Sequence, residues 1–259
     1  MNFKGSLLAV VVTWNSAKYI TSCLESLCSV ATGIVIIDNA SVDNTVEIVR
    51  EKFPSAHVIT NDTNKYLSHA LNQGINFKDS QYYFILNPDI ELNSKTVNHL
   101  VHFLQNHTNV GIVGPRLVYP DGTFQHSCRT FPTLHTVIAR GITFNKHRSS
   151  ISGFMQQHLM INYDHVIPRE VDWILGAAMM IRRECINEIG GFDEKYPIYY
   201  GDVDLCWRAN KHGWKVAYNP EAIAIHHYQR SSARGGIFNP LKWSHARSAL
   251  RFLIRKNFS

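Results

Sequence analysis

The first hundred residues alternate between short, continuously apolar segments and longer segments with the spacing of amphipathic helices. Strands are predicted at 7–13, 33–38, 56–60 and 82–86, and helices between and after them at 17–29, 42–52, 69–77 and 95–105. Strands that are apolar on both faces are typical of parallel sheets covered by helices on both sides. The alternation therefore predicts an α/β fold whose mostly parallel central sheet is flanked by helices.

The pattern becomes less regular after residue 115, where prolines and an Asp121-Gly122 pair interrupt it. We expect a hairpin near that pair and a mobile, partly helical insert across about 133–168. Later segments are predicted as a strand or buried segment at 171–181, helices at 183–189 and 202–212, strands at 215–218 and 222–226, and a terminal helix at 240–256. We divide the chain into an α/β domain over 1–232 and a basic amphipathic helix over 233–259.

The composition is that of an ordinary globular protein, with 45% hydrophobic and 18% charged residues among 259. The five cysteines form no Cys-x-x-Cys pair, and their scattered placement favours free thiols in a reducing compartment. The apolar run that ends at Val12 is too short for a signal-peptide core, and no run approaches the ~18 apolar residues that span a bilayer. These features predict a cytoplasmic protein.

Positive charge is concentrated towards the C-terminus. The net charge is +6, and no acidic residue follows Glu221, whereas seven arginines and lysines do. Such a segment suits nucleic acid, sugar-nucleotide phosphates or an anionic membrane surface. In the terminal helix, Arg247, Arg251 and Arg255 recur beside an apolar arc. We expect this helix either to lie in a membrane interface or to dock its apolar side on its own domain.

Polar and aromatic side chains follow three of the predicted strands. Ligands of parallel α/β sheets bind beyond the carboxyl ends of the strands, where this chain places Thr13-Trp14-Asn15, Asp38-Asn39 and Asn87-Pro88-Asp89. Trp14 is suited to stack on a base, and a partly buried core position is the alternative. Asp38 is suited to accept a hydrogen bond from a nucleobase, and plain capping of the following loop and helix is the alternative.

Asp89 and His226 together suggest a cation site. A hard cation such as Mg²⁺ or Mn²⁺ binds through one or two carboxylates plus substrate phosphates. These two side chains would leave most coordination positions to a diphosphate and water. A simple turn is the alternative for Asn87-Pro88, and an ordinary surface position is the alternative for His226.

Asp202 and Asp204 open a predicted helix, whose N-terminus favours ionised carboxylates. Gly201 leaves room for a ligand beside Asp202, which could act as a general base towards an acceptor hydroxyl; N-capping is the alternative for both aspartates. Arg230 lies in a Gly- and Arg-containing loop that suits either a phosphate clamp or a solvated loop. The chain has no dinucleotide-binding Gly-x-Gly-x-x-Gly after its first strand, no P-loop and no Gly-x-Ser-x-Gly elbow.

Six short motifs occur in order along the chain. They are Val11-Val12-Thr13-Trp14-Asn15, Ile37-Asp38-Asn39-Ala40-Ser41-x-Asp43, Leu86-Asn87-Pro88-Asp89, Gly190-Gly191-Phe192-Asp193-Glu194, Asp202-Val203-Asp204-Leu205-Cys206-x-Arg208 and Pro220-x-Ala222-x-x-x-His226. With these motifs the chain resembles the family 2 inverting glycosyltransferases of the GT-A fold, and most closely the bacterial rhamnosyltransferases of O-antigen and cell-wall polysaccharide assembly, over about residues 6–232.

The resemblance implies a role for each matched residue. Trp14 and Asp38 would hold the nucleobase, Asp89 and His226 would bind the metal, and Asp202 would be the catalytic base. Residues 1–110 would form the nucleotide-binding half and 111–232 the acceptor and catalytic half. Further contacts to the nucleotide sugar would come from Val12, Asn15, Asn64, Asn87 and Arg230, and the sugar pocket would include Trp173, Gly176, Asp204 and Arg208.

The implied reaction is the metal-dependent, inverting transfer of L-rhamnose from dTDP-L-rhamnose to a saccharide acceptor that could be lipid-linked. The resemblance also implies that the protein contacts the inner face of the cell membrane peripherally. Gly201 stands where the family usually has Glu, and Tyr66 stands where it has Gly and would narrow the donor pocket. A UDP-sugar donor, galactose or N-acetylglucosamine, is therefore the enzymatic alternative. A non-catalytic scaffold that binds sugar nucleotides is the alternative of another class, and a nucleic-acid-binding module would leave the motifs without a role.

Overall fold

The computed structural model describes residues 6–143, 153–228 and 240–258. Its strands are β1 (Leu7–Thr13), β2 (Gly33–Asp38), β3 (His57–Thr60), β4 (Tyr82–Leu86), β5 (Ile90–Leu92), β6 (Val110–Val118), β7 (Phe124–Gln125), β8 (Cys128–Arg129), β9 (Arg169–Glu170), β10 (Trp173–Ile174), β11 (Ala178–Arg182) and β12 (Lys215–His226). Its helices are α1 (Ile20–Cys28), α2 (Thr45–Lys52), α3 (Tyr66–Ile75), α4 (Thr96–Asn106), α5 (Leu134–Thr143), α6 (Gly153–His158), α7 (Arg183–Ile189), α8 (Gly201–Lys211) and α9 (Pro240–Phe258).

The central sheet has the strand order β3-β2-β1-β4-β11-β6-β12-β5. The first four of these strands are parallel, as the strand–helix alternation predicts, and β6 and β12 are also parallel. β11 lies between β4 and β6 and runs antiparallel to both. Its residues are buried on both faces, so its composition carries no sign of its direction. The mostly parallel α/β fold is confirmed, with this antiparallel insertion added.

Helices cover both faces of the sheet, which explains why its strands are apolar throughout. In β1, alternate side chains enter two different hydrophobic clusters. Leu7, Ala9 and Val11 pack with α1, α2 and α4, whereas Leu8, Val10 and Val12 share a cluster with α3, α7, α8 and α9. The side-chain alternation of a single strand therefore divides the core into two layers.

The terminal helix α9 docks on the domain through one of its faces. Ala249 and Phe252 are fully buried, and the Phe252 ring lies 5.8 Å from the ring of Tyr200 and 6.4 Å from that of Trp207. The opposite face carries exposed apolar side chains at Trp243, Leu250, Ile254 and Phe258. Docking on the domain thus leaves α9 with a second, outward apolar face. Within the described ranges, none of the helices is long and apolar enough to traverse a bilayer.

Several predicted bounds agree with the structure, notably those of β1, β2, β4 and α7. The predicted hairpin near Asp121-Gly122 joins β6 to β7, and the predicted insert contains α5 and α6, with residues 144–152 outside the described part. The two strands predicted at 215–218 and 222–226 form one strand, β12, whose register against β6 shifts between Asn219 and Ile223. This irregularity explains the interrupted pattern. All five cysteines are free thiols.

Candidate active site

Three parallel strands end at one edge of the sheet. The register pairs Thr13 with Asp38 and Val11 with Leu86, so the residues that follow β1, β2 and β4 lie together. The Thr13 hydroxyl donates a hydrogen bond of 2.8 Å to Asp38 Oδ1 across the first of these pairs. The sequence predicted this arrangement because the carboxyl ends of parallel strands share an edge.

Asp38 organises the loop after β2. It is only 2% exposed, and its carboxylate accepts hydrogen bonds from the Ser41 hydroxyl at 2.6 Å and the Ser41 backbone N–H at 2.9 Å, besides that of Thr13. These contacts match the capping alternative. A nucleobase contact by Asp38 stays a prediction.

Trp14 projects from the same edge and is 60% exposed, so its ring is accessible for stacking. Val12 lies two residues before Trp14 in β1, and its side chain is buried in the core, which leaves only its backbone for a ligand. Asn15 accepts a hydrogen bond of 2.8 Å from the Val42 N–H, and Asn64 accepts one of 2.8 Å from the Tyr66 N–H. Both asparagines therefore shape the loops around Trp14.

Backbone strain is concentrated around this edge. Among the described residues, four of the six non-glycine positions with positive φ follow β1 or β2 or begin a helix at the site: Asn15 (φ 53°), Ala40 (φ 59°), Tyr66 (φ 64°) and Tyr200 (φ 69°). Such conformations cost free energy and persist where the surrounding structure holds them, commonly at functional sites. Their grouping supports this edge as the candidate site.

Asp89 and His226 are brought together by strand pairing. β5 follows Asp89 directly and runs antiparallel to the end of β12, with Ile90 opposite His226. The His227 N–H donates to the Asp89 carbonyl at 2.9 Å, and His226 Nε2 lies 3.5 Å from Asp89 Oδ1. Sequence patterns did not predict β5, whose three residues are too few to show a period.

Gln125, which the sequence analysis missed, orients the His226 ring. Its Oε1 lies 2.9 Å from His226 Nδ1, and an amide oxygen only accepts hydrogen bonds, so this contact favours the proton on Nδ1 and, in the neutral ring, leaves the lone pair on Nε2. Nε2 faces Asp89 Oδ1, a buried atom without a hydrogen-bond partner among the described residues. Two acceptors facing each other in this way suit a shared cation, so the pair fits a divalent metal.

No third His, Cys, Asp or Glu completes a metal cluster with this pair in the described ranges. A cation on Asp89 and His226 would therefore need further ligands of another kind, such as the oxygens of a bound substrate or of water.

Asp202 is linked to the same edge through the Gly176-Ala177 backbone. The Gly176 N–H donates to Asp202 Oδ2 at 2.9 Å, and the Ala177 carbonyl accepts from the Asn87 N–H at 2.9 Å. The carboxylate lies at the start of α8 and is largely buried, and burial raises its pKa above the ordinary value. Two hydrogen bonds therefore join the candidate base to the strand end that carries Asp89.

Gly201 and Gly176 permit the close packing around Asp202. A Cβ on Gly201 would lie 2.9 Å from the Ser68 hydroxyl, which itself donates to the Tyr196 carbonyl. A Cβ on Gly176 would lie 3.2 Å from the Asp202 Cβ. Gly201, which stands where the family usually has Glu, therefore allows α3 and α8 to approach each other closely.

Asp204 and Arg208 are placed differently from the sugar-pocket residues that we expected. Asp204 is fully buried, and its two oxygens each accept a hydrogen bond of 2.8 Å, one from Arg208 Nε and one from Arg255. Arg208 also donates to the carbonyls of Ile189 and Gly191 at 2.5 and 2.7 Å. These contacts tie α8 to α9 and to the turn after α7, so both side chains are engaged within the protein, and a role in the sugar pocket stays a prediction.

Trp173 and Arg230 are the remaining predicted site residues. Trp173 is buried, donating from its indole N–H to the Thr130 carbonyl at 2.9 Å, and its ring lies in the core instead of lining an open pocket. Arg230 lies outside the described residues.

Comparisons with known proteins agree with this geometry. The family model for glycosyl transferase family 2 matches residues 8–190. An N-acetylglucosaminyl-diphospho-decaprenol L-rhamnosyltransferase of Mycobacterium tuberculosis is 27% identical over 248 residues, 88% of this chain and 78% of the relative. Rhamnosyltransferase WbbL of Escherichia coli is 36% identical over 86 residues, 33% of this chain and 32% of the relative.

Solved structures share the fold. GalNAc-T7 with UDP, GalNAc and Mn²⁺ matches with a TM-score of 0.66 and 15% identity over 95% of this chain and 48% of its own. The mannosyltransferase PcManGT from Pyrobaculum calidifontis, in complex with GDP-Man and Mn²⁺, matches with a TM-score of 0.57 and 18% identity over 96% of this chain and 70% of its own. These similarities place the sheet and its helices in the GT-A fold. Since the family model covers more than half of the chain, this protein belongs to glycosyltransferase family 2.

Proposed function

We propose that this protein is an inverting, metal-dependent rhamnosyltransferase of bacterial surface polysaccharide synthesis, with dTDP-L-rhamnose as donor and a saccharide on a lipid diphosphate as acceptor. The relatives named as rhamnosyltransferases support the donor, and the acceptor follows the printed name of the M. tuberculosis relative. The observation that carries the proposal is the shared edge on which Asp202 and the Asp89–His226 pair lie.

Asp202 is the proposed general base. Its burial raises its pKa above the ordinary value, which makes the ionised form a stronger proton acceptor. Asp202 takes the proton of the acceptor hydroxyl as that oxygen bonds to the anomeric carbon on the face opposite the diphosphate. The bond from the anomeric carbon to the diphosphate oxygen breaks, and its electron pair leaves with the diphosphate. One displacement of this kind inverts the configuration.

Asp89 and His226 would hold Mg²⁺ or Mn²⁺, and the cation would supply positive charge next to the diphosphate when bound. Gln125 keeps His226 in the tautomer that presents Nε2. Trp14 offers an exposed ring for the base of the donor, and the half-exposed Tyr66 stands at the start of α3 on the same edge. We infer that these two aromatic residues shape the donor entrance.

The Asp202→Asn variant tests the base. An amide cannot take the proton, so we expect turnover to fall by about 10²–10⁴-fold while donor binding is kept. Its melting temperature should be unchanged or higher, because an ionised carboxylate with a raised pKa destabilises the folded state at neutral pH. Asp79→Asn is the matched control, because Asp79 is exposed and lies three residues before β4, at the opposite end of the parallel strands. Near-normal turnover by Asp202→Asn would show that another group is the base.

Donor identity is tested separately. Thermal shifts with dTDP and UDP, followed by turnover of a panel of nucleotide sugars, should favour dTDP and dTDP-L-rhamnose. Preference for UDP would instead identify the UDP-sugar enzyme. Absence of any donor hydrolysis or transfer with Mg²⁺ or Mn²⁺ would favour the non-catalytic scaffold.

A further inference from the structure

A cavity of about 430 Å³ lies between α9 and the chain segment that precedes α8. We call it the α9 cavity. Its polar lining consists mainly of cationic and hydroxyl groups: Arg247, Arg251, Ser244 and Ser248 from α9, and Lys195 from the facing segment. Trp243 also contributes to the wall. Three cations and two hydroxyls around one hollow form a set of hydrogen-bond donors suited to an anion.

The α9 cavity carries an excess of positive charge, with three cationic side chains against the one carboxylate of Glu194. In the part of the chain that the structure describes, no carboxylate pairs with Lys195, Arg247 or Arg251. The acidic residue of the wall, Glu194, is already engaged by His69 at 3.0 Å and by Asn72 at 3.1 Å. Arg247 and Arg251 lie one helical turn apart, roughly 6 Å between their Cβ atoms, a spacing that suits adjacent phosphate groups.

The cavity is next to the segment that carries Asp202. Its wall includes Pro197, and the chain reaches Gly201 four residues later. The His245 ring of α9 lies 5.1 Å from the ring of Tyr199 and 5.3 Å from that of Tyr200. An anion bound here therefore lies beside the segment that leads into α8 and Asp202.

The outward apolar face of α9 indicates that the anion belongs to a lipid. Trp243, Leu250 and Ile254 are exposed and recur at helical spacing, and Trp243 belongs both to this face and to the cavity wall. An exposed apolar face beside arginines is the pattern of helices that lie in a membrane interface, with the apolar groups among acyl chains and the cations at phosphates. Binding of a free phosphate would leave these exposed apolar side chains of α9 without a role.

We propose that the α9 cavity binds the diphosphate of a lipid-linked acceptor while the outward face of α9 enters the membrane surface that holds this lipid. The proposal rests on the acceptor class of the proposed function and assigns its anionic group to Lys195, Arg247 and Arg251. It makes α9 the element that presents the acceptor to Asp202.

The test measures binding without any donor. The probes are inorganic pyrophosphate, followed by Trp fluorescence, and phosphatidylcholine vesicles with and without a short prenyl diphosphate, followed by co-sedimentation. The variant Arg247→Gln/Arg251→Gln is compared with Arg50→Gln/Lys52→Gln, which changes the charge equally on exposed positions of α2, a helix of the other core layer. We expect roughly tenfold weaker binding of both probes by the α9 variant and wild-type binding by the control.

A second variant separates the apolar contribution. Leu250→Ala/Ile254→Ala should lose most vesicle binding while keeping pyrophosphate binding within about threefold, since both side chains are exposed, neither carries charge and neither lines the cavity. Equal binding by the arginine variant and its control would overturn the proposal. Equal wild-type binding to vesicles containing phosphatidylglycerol and to those containing prenyl diphosphate would overturn the assignment to the acceptor. A failed Asp202→Asn test would leave these binding results unaffected, so the two proposals fail separately.

Discussion

Substitution of Phe252 by Ala tests the docking of α9 on the catalytic domain. The Phe252 side chain is fully buried, and its ring lies 6.0 Å from Phe131 as well as close to Tyr200 and Trp207. Phe252 belongs to the same hydrophobic cluster as β1, α3 and α8. Loss of this ring should therefore destabilise the domain and not α9 alone.

The magnitude follows from the burial. A buried aromatic ring removes about 150–250 Å² from water, and Phe→Ala in a core costs about 3–5 kcal/mol. We expect the lower end, about 3 kcal/mol, because α9 lies at the margin of the core and can settle into the space. In a chain of this size such a loss lowers the melting temperature by about 6–12 °C.

Leu250→Ala is the matched control, since it lies on the same helix two residues earlier and is 60% exposed. It should change the free energy of unfolding by less than about 0.5 kcal/mol. Urea unfolding, followed by far-UV circular dichroism and tryptophan fluorescence, measures both variants. Equal destabilisation by the two substitutions would show that α9 does not pack through Phe252, and the reasoning about its two faces would fail.

Three further outcomes are expected. Turnover should fall as the pH drops through the pKa of Asp202, and this fall should occur above the ordinary aspartate value of 3.8 because burial favours the protonated acid. A pH–rate profile without an acidic decrease of this kind would contradict the base assignment. Gln125→Leu should weaken Mn²⁺ binding by about 10–100-fold, because His226 loses the acceptor that fixes its tautomer. Nucleotide binding in the absence of metal should change little. Calorimetric titration with Mn²⁺ measures the metal affinity. Gly201→Ala should lower the melting temperature, and Ser68→Gly in the same chain should recover part of the loss if the contact of 2.9 Å with the Ser68 hydroxyl is the cause.

The sequence predicted the parts of the site that depend on local periodicity. Asp38 ends the apolar strand β2 and Asp89 lies three residues after the apolar strand β4, and the carboxyl ends of parallel strands share one edge of the sheet. Asp202 was found because it follows a glycine and opens a helix, which is also a local pattern. The Asp204–Arg208 ion pair has the four-residue spacing that is typical of ion pairs on a helix, a local signal that the sequence analysis did not use.

Other features had no signal in the sequence. Gln125 and His226 are 101 positions apart, and a two-residue strand such as β7 shows no period that would place Gln125 beside a histidine. The direction of β11 was equally hidden, because a strand buried on both faces has the same composition in parallel and antiparallel sheets.

The amino-acid sequence by itself therefore determined the α/β architecture and the edge of the sheet at which polar groups gather, since side-chain period and strand order act over neighbouring residues. Only the tertiary structure decided which partners meet there: the orientation of His226 by Gln125, the enclosure of Asp204 by two arginines, and which face of α9 is buried. These choices depend on packing between elements that are distant in the chain. A helix with apolar groups on two faces, such as α9, has its buried face selected by the shape and charge of the surface that it meets.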